Sequence, residues 1–218
     1  MKKGWFFGDS FTKGFGSNPG EEYYELVNGD TTKWSDIICK EYNLEQINFG
    51  LSGAANENIL VDIQTNFFNT KPGDFVFLQS SCPTRQFFYL KNFDVIFKYG
   101  NNKVTSLLKD IKLWVDSPFK TIDASDQLSQ EQHDSIGKFI LNIRVPAYKR
   151  YKDYYSRQFN FYKKLFLQRG CVVVDWEFEQ WKDYETIEEA TNGTIKDNHW
   201  SAKGNKNFAE YISKRISE

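Results

Sequence analysis

Trp5-Phe6-Phe7-Gly8-Asp9-Ser10 carries an apolar run straight into a small, polar turn only ten residues into the chain. Three consecutive aromatics suit a strand buried on both faces, and a glycine directly after a strand permits a sharp reversal and close backbone approach. Three further runs have the same character, giving strands at about Gly4 to Phe7, Glu45 to Phe49, Asp74 to Leu78 and Cys171 to Val174. The first three end in small or polar clusters: Gly8-Asp9-Ser10, Gly50-Leu51-Ser52-Gly53 and Gln79-Ser80-Ser81. Amphipathic stretches separate them, which is the pattern of βαβ units around a parallel sheet. In such sheets ligands bind beyond the carboxyl ends of the strands, so the three clusters are expected to line one crevice.

Helices are expected from Lys33 to Tyr42, where Trp34, Ile37, Ile38 and Tyr42 recur at helical spacing, and from about Ala55 to Phe68 through Ile59, Ile63 and Phe67. A third runs from Tyr148 to Leu167 and is closed by Gly170. The last spans about Ala202 to Ile216 and buries Phe208, Tyr211, Ile212 and Ile216. The segment from Asn92 to Val145 reads as an insertion or lid with one or two helices within a single domain covering 1–218.

Hydrophobic residues make up 40% of the 218 and aromatics 17%, enough for a sizeable core, and a formal charge of −1 gives no general pull toward nucleic acid or anionic membrane. Cys39, Cys82 and Cys171 are odd in number and lack close pairs, so they are expected to be small buried hydrophobes, with no disulfide framework or zinc knuckle. The aromatic run after Met1-Lys2-Lys3 is too short for the h-region of about 7–15 residues in a secretory signal, and nothing approaches the ~18 apolar residues of a membrane span. A cytoplasmic or particle-associated protein is therefore expected.

A serine hydroxyl is a weak nucleophile until a base takes its proton, and that base is usually a histidine oriented by a carboxylate. The chain has two histidines. His133, in Gln130-Glu131-Gln132-His133-Asp134, fits a surface role. His199 lies in Asp197-Asn198-His199-Trp200, just before the final helix. Residues two apart share a side only in extended or turned backbone, so Asp197 could accept from His199 Nδ1–H while Nε2 faces Ser10. A turn with Ser10 as a helix cap is the plain alternative for the first block. In the second block Gly53 could offer a bare N–H to a developing oxyanion, or the block could be a tight turn and no more. Asn48 stands where a dinucleotide fingerprint needs glycine, which argues against a nucleotide loop.

Together these blocks resemble the SGNH/GDSL hydrolase family, with its N-terminal Gly-Asp-Ser block and C-terminal Asp-His pair. The resemblance implies a three-layer α/β/α flavodoxin-like fold with a central parallel sheet of about five strands. It implies Ser10 as nucleophile, His199 as general base and acid, Asp197 as the orienting carboxylate, and the N–H groups of Ser10 and Gly53 in the oxyanion hole, with no metal or organic cofactor. Asp197-x-His199-Trp200 is shorter than the family's common Asp-x-x-His and is similar to the form in SGNH-like proteins that acetylate exopolysaccharides. The usual third-block Gly-x-Asn-Asp is replaced by Gln79-Ser80-Ser81-Cys82-Pro83-Thr84-Arg85, so Ser81, Thr84 and Arg85 become candidate donors. Asp9, Thr84, Arg85 and Trp200 are candidate substrate contacts, and Phe87, Phe88 and Tyr89 would lie near the crevice. The expected activity is hydrolysis of a carboxylic ester, with an O-acetyl group on carbohydrate as substrate. Acyl transfer to a sugar hydroxyl, or a glycan-binding or structural module that keeps the fold without turnover, are the alternatives.

Overall fold

The computed structural model describes residues 1–14, 33–51, 54–83, 95–97, 112–115, 120–123, 131, 138, 146–195 and 197–218. Four strands, β1 (Lys2–Phe7), β2 (Leu44–Asn48), β3 (Phe75–Gln79) and a later one at Val172–Trp176, form a parallel sheet. Three short strands, β4 (Val95–Phe97), β5 (Lys112–Val115) and β6 (Lys120–Asp123), make a separate antiparallel sheet, so the later parallel strand is β7 and the main order is β2-β1-β3-β7. The sequence led to an expectation of helices in the 92–145 segment; the described pieces include this sheet as well. The rest of that segment, with His133, lies outside the described residues.

Helices α1 (Ser10–Lys13), α2 (Trp34–Glu41), α3 (Asn56–Asn66), α4 (Tyr148–Gln168), α5 (Ile187–Ala190) and α6 (Ala202–Ser217) complete the fold, with 3-10 turns at Phe67–Asn69 and Phe178–Asp183. Side chains alternate across a strand, and both faces here are apolar, so each needs a cover. Phe6, Phe75 and Phe77 pack on one face with Trp34 and Ile38 of α2 and Phe208 and Ile212 of α6. Trp5, Phe7, Val76 and Leu78 pack on the other with Ile59 and Ile63 of α3 and Tyr155, Phe159 and Phe166 of α4. This is the expected α/β/α sandwich. Tyr211 and Ile216 are only partly buried against the first face.

Gly170 ends α4 at φ +83°, a conformation that costs a glycine little, and Cys171 N–H donates back to the Phe166 carbonyl at 3.0 Å. Cys39, Cys82 and Cys171 are all buried, in keeping with the sequence expectation.

At the amino end of the sheet, Asp74 accepts from Lys3 N (3.0 Å), Trp5 Nε1 (2.9 Å) and Lys71 N (3.0 Å) while almost wholly buried. Removing this carboxylate leaves the Trp5 indole N–H without its acceptor. Asp74→Ala should therefore lower stability by about 3 kcal/mol, read as a fall in the urea midpoint at constant slope.

Candidate active site

Of the helices between β1 and β2, α2 covers one face, whereas α3, which follows β2, covers the other. The carboxyl ends of β1 and β3 therefore flank the point where the order reverses, the usual position of a ligand crevice in open α/β sheets. Gly8-Asp9-Ser10 lies at that point. A Cβ on Gly8 would stand 2.5 Å from Gln79 Oε1 and 2.7 Å from Thr12 Cβ, so only glycine fits.

Asp9 caps α1 by accepting from Phe11 N at 3.1 Å, and it is fully buried. Its main partner is Gln79, the last residue of β3. Gln79 Nε2 donates to Asp9 Oδ1 at 2.5 Å, and Gln79 Oε1 accepts from Asp9 N (3.2 Å) and Thr12 Oγ1 (2.5 Å). The Ser81 hydroxyl lies 2.7 Å from the Ala54 carbonyl and 3.2 Å from Asp9 Oδ2, while its backbone exchanges two bonds with the Asn56 amide at 2.7 and 2.8 Å. Asp9 and Ser81 thus tie elements to one another through buried polar atoms. Sequence reasoning assigned no role to Gln79 or Asn56. Each is an amide at the end of an element, Gln79 closing β3 and Asn56 opening α3, and acts through a partner distant in sequence.

Ser10 opens α1 and is 4% exposed. As the first residue of a helix its backbone N–H has no intrahelical acceptor, and it meets none among the described residues. Gly53, Thr84, Arg85, Phe87, Phe88 and Tyr89 lie outside the described residues.

The second half of the site is one turn. Asp197 Oδ1 accepts from His199 N at 2.8 Å and lies 2.6 Å from His199 Nδ1, so the carboxylate that shapes the backbone also orients the ring. Both carbonyls of this turn are anchored: Glu188 N donates to Asp197 O (2.9 Å) and Ile187 N to His199 O (2.7 Å). Ser201 then caps α6, accepting from Gly204 N at 3.0 Å, and donates its hydroxyl to Glu185 at 2.6 Å. Burial pushes the Asp197 carboxyl up, but the ring and backbone bonds from His199 and its charge outweigh that and hold it below the ordinary carboxylate range. An ionised carboxylate only accepts, so this contact puts an imidazole proton on Nδ1.

His199 packs against the neighbour of Ser10: its ring lies 5.1 Å from the ring of Phe11, and no hydrogen bond joins the Ser10 and His199 side chains. Trp200 packs at 4.9 Å on the same Phe11 and at 4.4 Å on Phe208, and its Nε1 donates to Trp181 O at 2.8 Å. At 3% exposure it is a wall of the core and presents no face to a sugar, contrary to the sequence expectation.

At the carboxyl end of β7, Glu179 binds Tyr148 Oη (2.7 Å) and Lys152 Nζ (3.0 Å), a closed cluster in which burial and the Glu179 charge push the Tyr148 phenol upward. Among the described residues no group of three or more His, Cys, Asp or Glu could hold a metal ion, and no helix is long and apolar enough to cross a membrane.

Two outcomes follow from this geometry. Gln79→Leu removes the amide that satisfies the buried Asp9 carboxylate and should cost roughly 3–5 kcal/mol, measured by urea unfolding. The depressed Asp197 carboxyl contributes stability that is complete above the ordinary carboxyl value near pH 4 and is lost as pH falls through its lower folded value. The stability gap between wild type and Asp197→Asn should therefore close on acidification from about pH 4 toward pH 2, and a gap independent of pH would refute the assignment.

No family model matches the chain, and no curated protein matches it. Among solved structures the chain is similar to a protein of the G-D-S-L family from Desulfitobacterium hafniense DCB-2, at 14% identity over 99% of each chain with a TM-score of 0.38. It is similar to a member of the lipolytic G-D-S-L family from Veillonella parvula DSM 2008, at 13% identity over 98% of this chain and 97% of that one, TM-score 0.37. A third similar structure is an alpha/beta hydrolase enzyme from the metagenome of Lake Arreo, Spain, at 14% identity over 99% of this chain and 95% of that one, TM-score 0.38.

Proposed function

We propose that the chain is a serine hydrolase of carboxylic esters, with O-acetyl groups on carbohydrate as its substrate class. The observation that carries the proposal is the 2.6 Å Asp197–His199 pair seated, through the His199 ring, on the residue next to Ser10. The carbohydrate part rests on the likeness of Asp197-Asn198-His199-Trp200 to the block of exopolysaccharide-acetylating proteins.

In this mechanism Ser10 Oγ attacks the ester carbonyl while His199 Nε2 takes its proton, and Asp197 stabilises the imidazolium without itself being protonated. The negative charge that develops on the carbonyl oxygen is met by the Ser10 backbone N–H and, from the resemblance, by that of Gly53. Each such donor is worth ~2.7–4 kcal/mol in the transition state. Collapse expels the alcohol with the proton from His199. Water, deprotonated by the same nitrogen, then releases the acid and restores Ser10. A Ser10–His199 hydrogen bond has to form when substrate binds, since catalytic bonds are often long or poorly aligned in the free enzyme.

The test joins fluorophosphonate labelling with peptide mapping to an acetyl-ester assay. Ser10 should carry the label, and Ser10→Ala and His199→Ala should each lose about 10⁴-fold or more in kcat/KM. An unlabelled Ser10 together with no turnover on a panel of acetylated sugars would overturn the proposal and favour a glycan-binding module. Transfer of the acetyl group to an added sugar in preference to water would move the assignment to acyl transfer.

A further inference from the structure

A cavity of about 500 Å³ opens where α1, the first turn of α2 and the end of β2 meet. It begins one helical turn from Ser10: Lys13, at its rim, closes the helix that Ser10 opens, and residues three apart on a helix have Cβ atoms about 5–6 Å from each other. Its floor is the turn after β2. There Asn48 Nδ2 donates to Thr12 O at 3.0 Å and Asn48 Oδ1 accepts from Gly50 N at 2.7 Å, which clamps the turn onto α1. Gly50 packs so closely that a Cβ there would lie 2.7 Å from Lys13 Cα, so the floor needs glycine at this position.

Among the described residues the charges of this cavity are two lysines and one acid. Lys13 and Lys33 both line it, and neither ammonium has an ion-pair or hydrogen-bond partner among the described residues. Lys33 is also held in place: its stem lies across Gly14, where a Cβ would stand 2.6 Å from Lys33 Cδ and 2.7 Å from Lys33 Cγ. A side chain already ordered by packing loses less entropy on binding. Among the described residues Asp36 is the one carboxylate in the lining, exposed on the first turn of α2. Gln46, whose Nε2 donates to Ser35 Oγ at 2.8 Å, adds a neutral polar wall. Leu51 is the only apolar side chain among the described lining residues, and the polar lining they form favours a polar ligand over an acyl chain.

We infer that this cavity is the subsite for the alcohol part of the ester, and that it selects alcohols bearing an oxyanion group (carboxylate, sulfate or phosphate) through Lys13 and Lys33. The inference rests on Ser10 being the nucleophile of an acetyl esterase, as proposed above. An acetyl group is too short to span a helical turn, which assigns the anion to the alcohol side. An aryl acetate carrying a para carboxylate puts such an anion on the alcohol side of the scissile ester.

The experiment compares 4-acetoxybenzoate with phenyl acetate, in wild type and in a Lys13→Gln/Lys33→Gln double variant. The ratio of their kcat/KM values, corrected for the intrinsic reactivity of each ester in buffer, should favour the anionic ester in wild type. It should fall roughly tenfold in the variant, as expected for two partly screened ion pairs. The wild-type preference should also shrink as salt is raised, and Asp36→Asn should enlarge it by removing the opposing charge. A ratio unchanged by the double substitution would overturn the inference. Loss of all ester turnover would count against the hydrolase itself. In that case an NMR titration with 4-hydroxybenzoate, the anionic product, decides the cavity alone: shifts at Lys13, Lys33 and Gly50 that vanish in the double variant support it, and their absence in wild type sinks it.

Discussion

The buried clasp between Asp9 and Gln79 joins the carboxyl ends of the two central strands, and the position of Ser10 descends from it. A carboxylate with no exposure is expensive unless every lone pair finds a donor. Here the partner is neutral. An amide both gives and receives, so Gln79 can donate to Asp9 Oδ1 while accepting from the Asp9 backbone and the Thr12 hydroxyl. A glutamate in its place would set two carboxylates face to face, and an apolar residue would leave the charge unmet. The requirement for glycine at position 8 is part of the same constraint, because the amide oxygen occupies the space a side chain would need.

The other half of the site depends on aromatic packing. Phe11 touches Trp181, His199 and Trp200, and Trp200 in turn touches Trp176, Tyr184 and Phe208, so the ring next to the serine continues into the core on the α6 side of the sheet. Dispersion and edge-to-face contacts of this kind are individually small and collectively large. In a chain so rich in aromatic residues, Trp200 is consumed by this packing, and that is why a tryptophan beside the histidine reads misleadingly as a sugar platform.

The four parallel strands were legible because strands buried on both faces appear as continuous apolar runs, and their observed ends differ from the expected ones by no more than a residue or two at most boundaries. The long helices were legible from their period and from Gly170. The Asp197–His199 pairing could be read because a spacing of two has few ways to bring side chains together. Gln79 and Asn56 could not, because each acts through a partner distant in sequence and an amide at the end of an element has no characteristic local pattern. Nor did the short strands β4, β5 and β6 stand out, since runs of three or four residues carry too little periodicity to separate from turns.

Asp197 and His199 form a single local turn, and closing so short a loop costs little chain entropy. The two side chains therefore stay matched whenever that turn exists, even if the surrounding elements shift. Among the described contacts, Ser10 is registered to them through the fit of Phe11 against the His199 and Trp200 rings. A small slip of that contact would move Ser10 relative to His199 while leaving the sheet, the helices and the Asp–His pair intact. Heating or a mild perturbant should then disturb this arrangement before any spectroscopic signal of unfolding moves, so that local registration and folded structure come apart as two distinct thresholds.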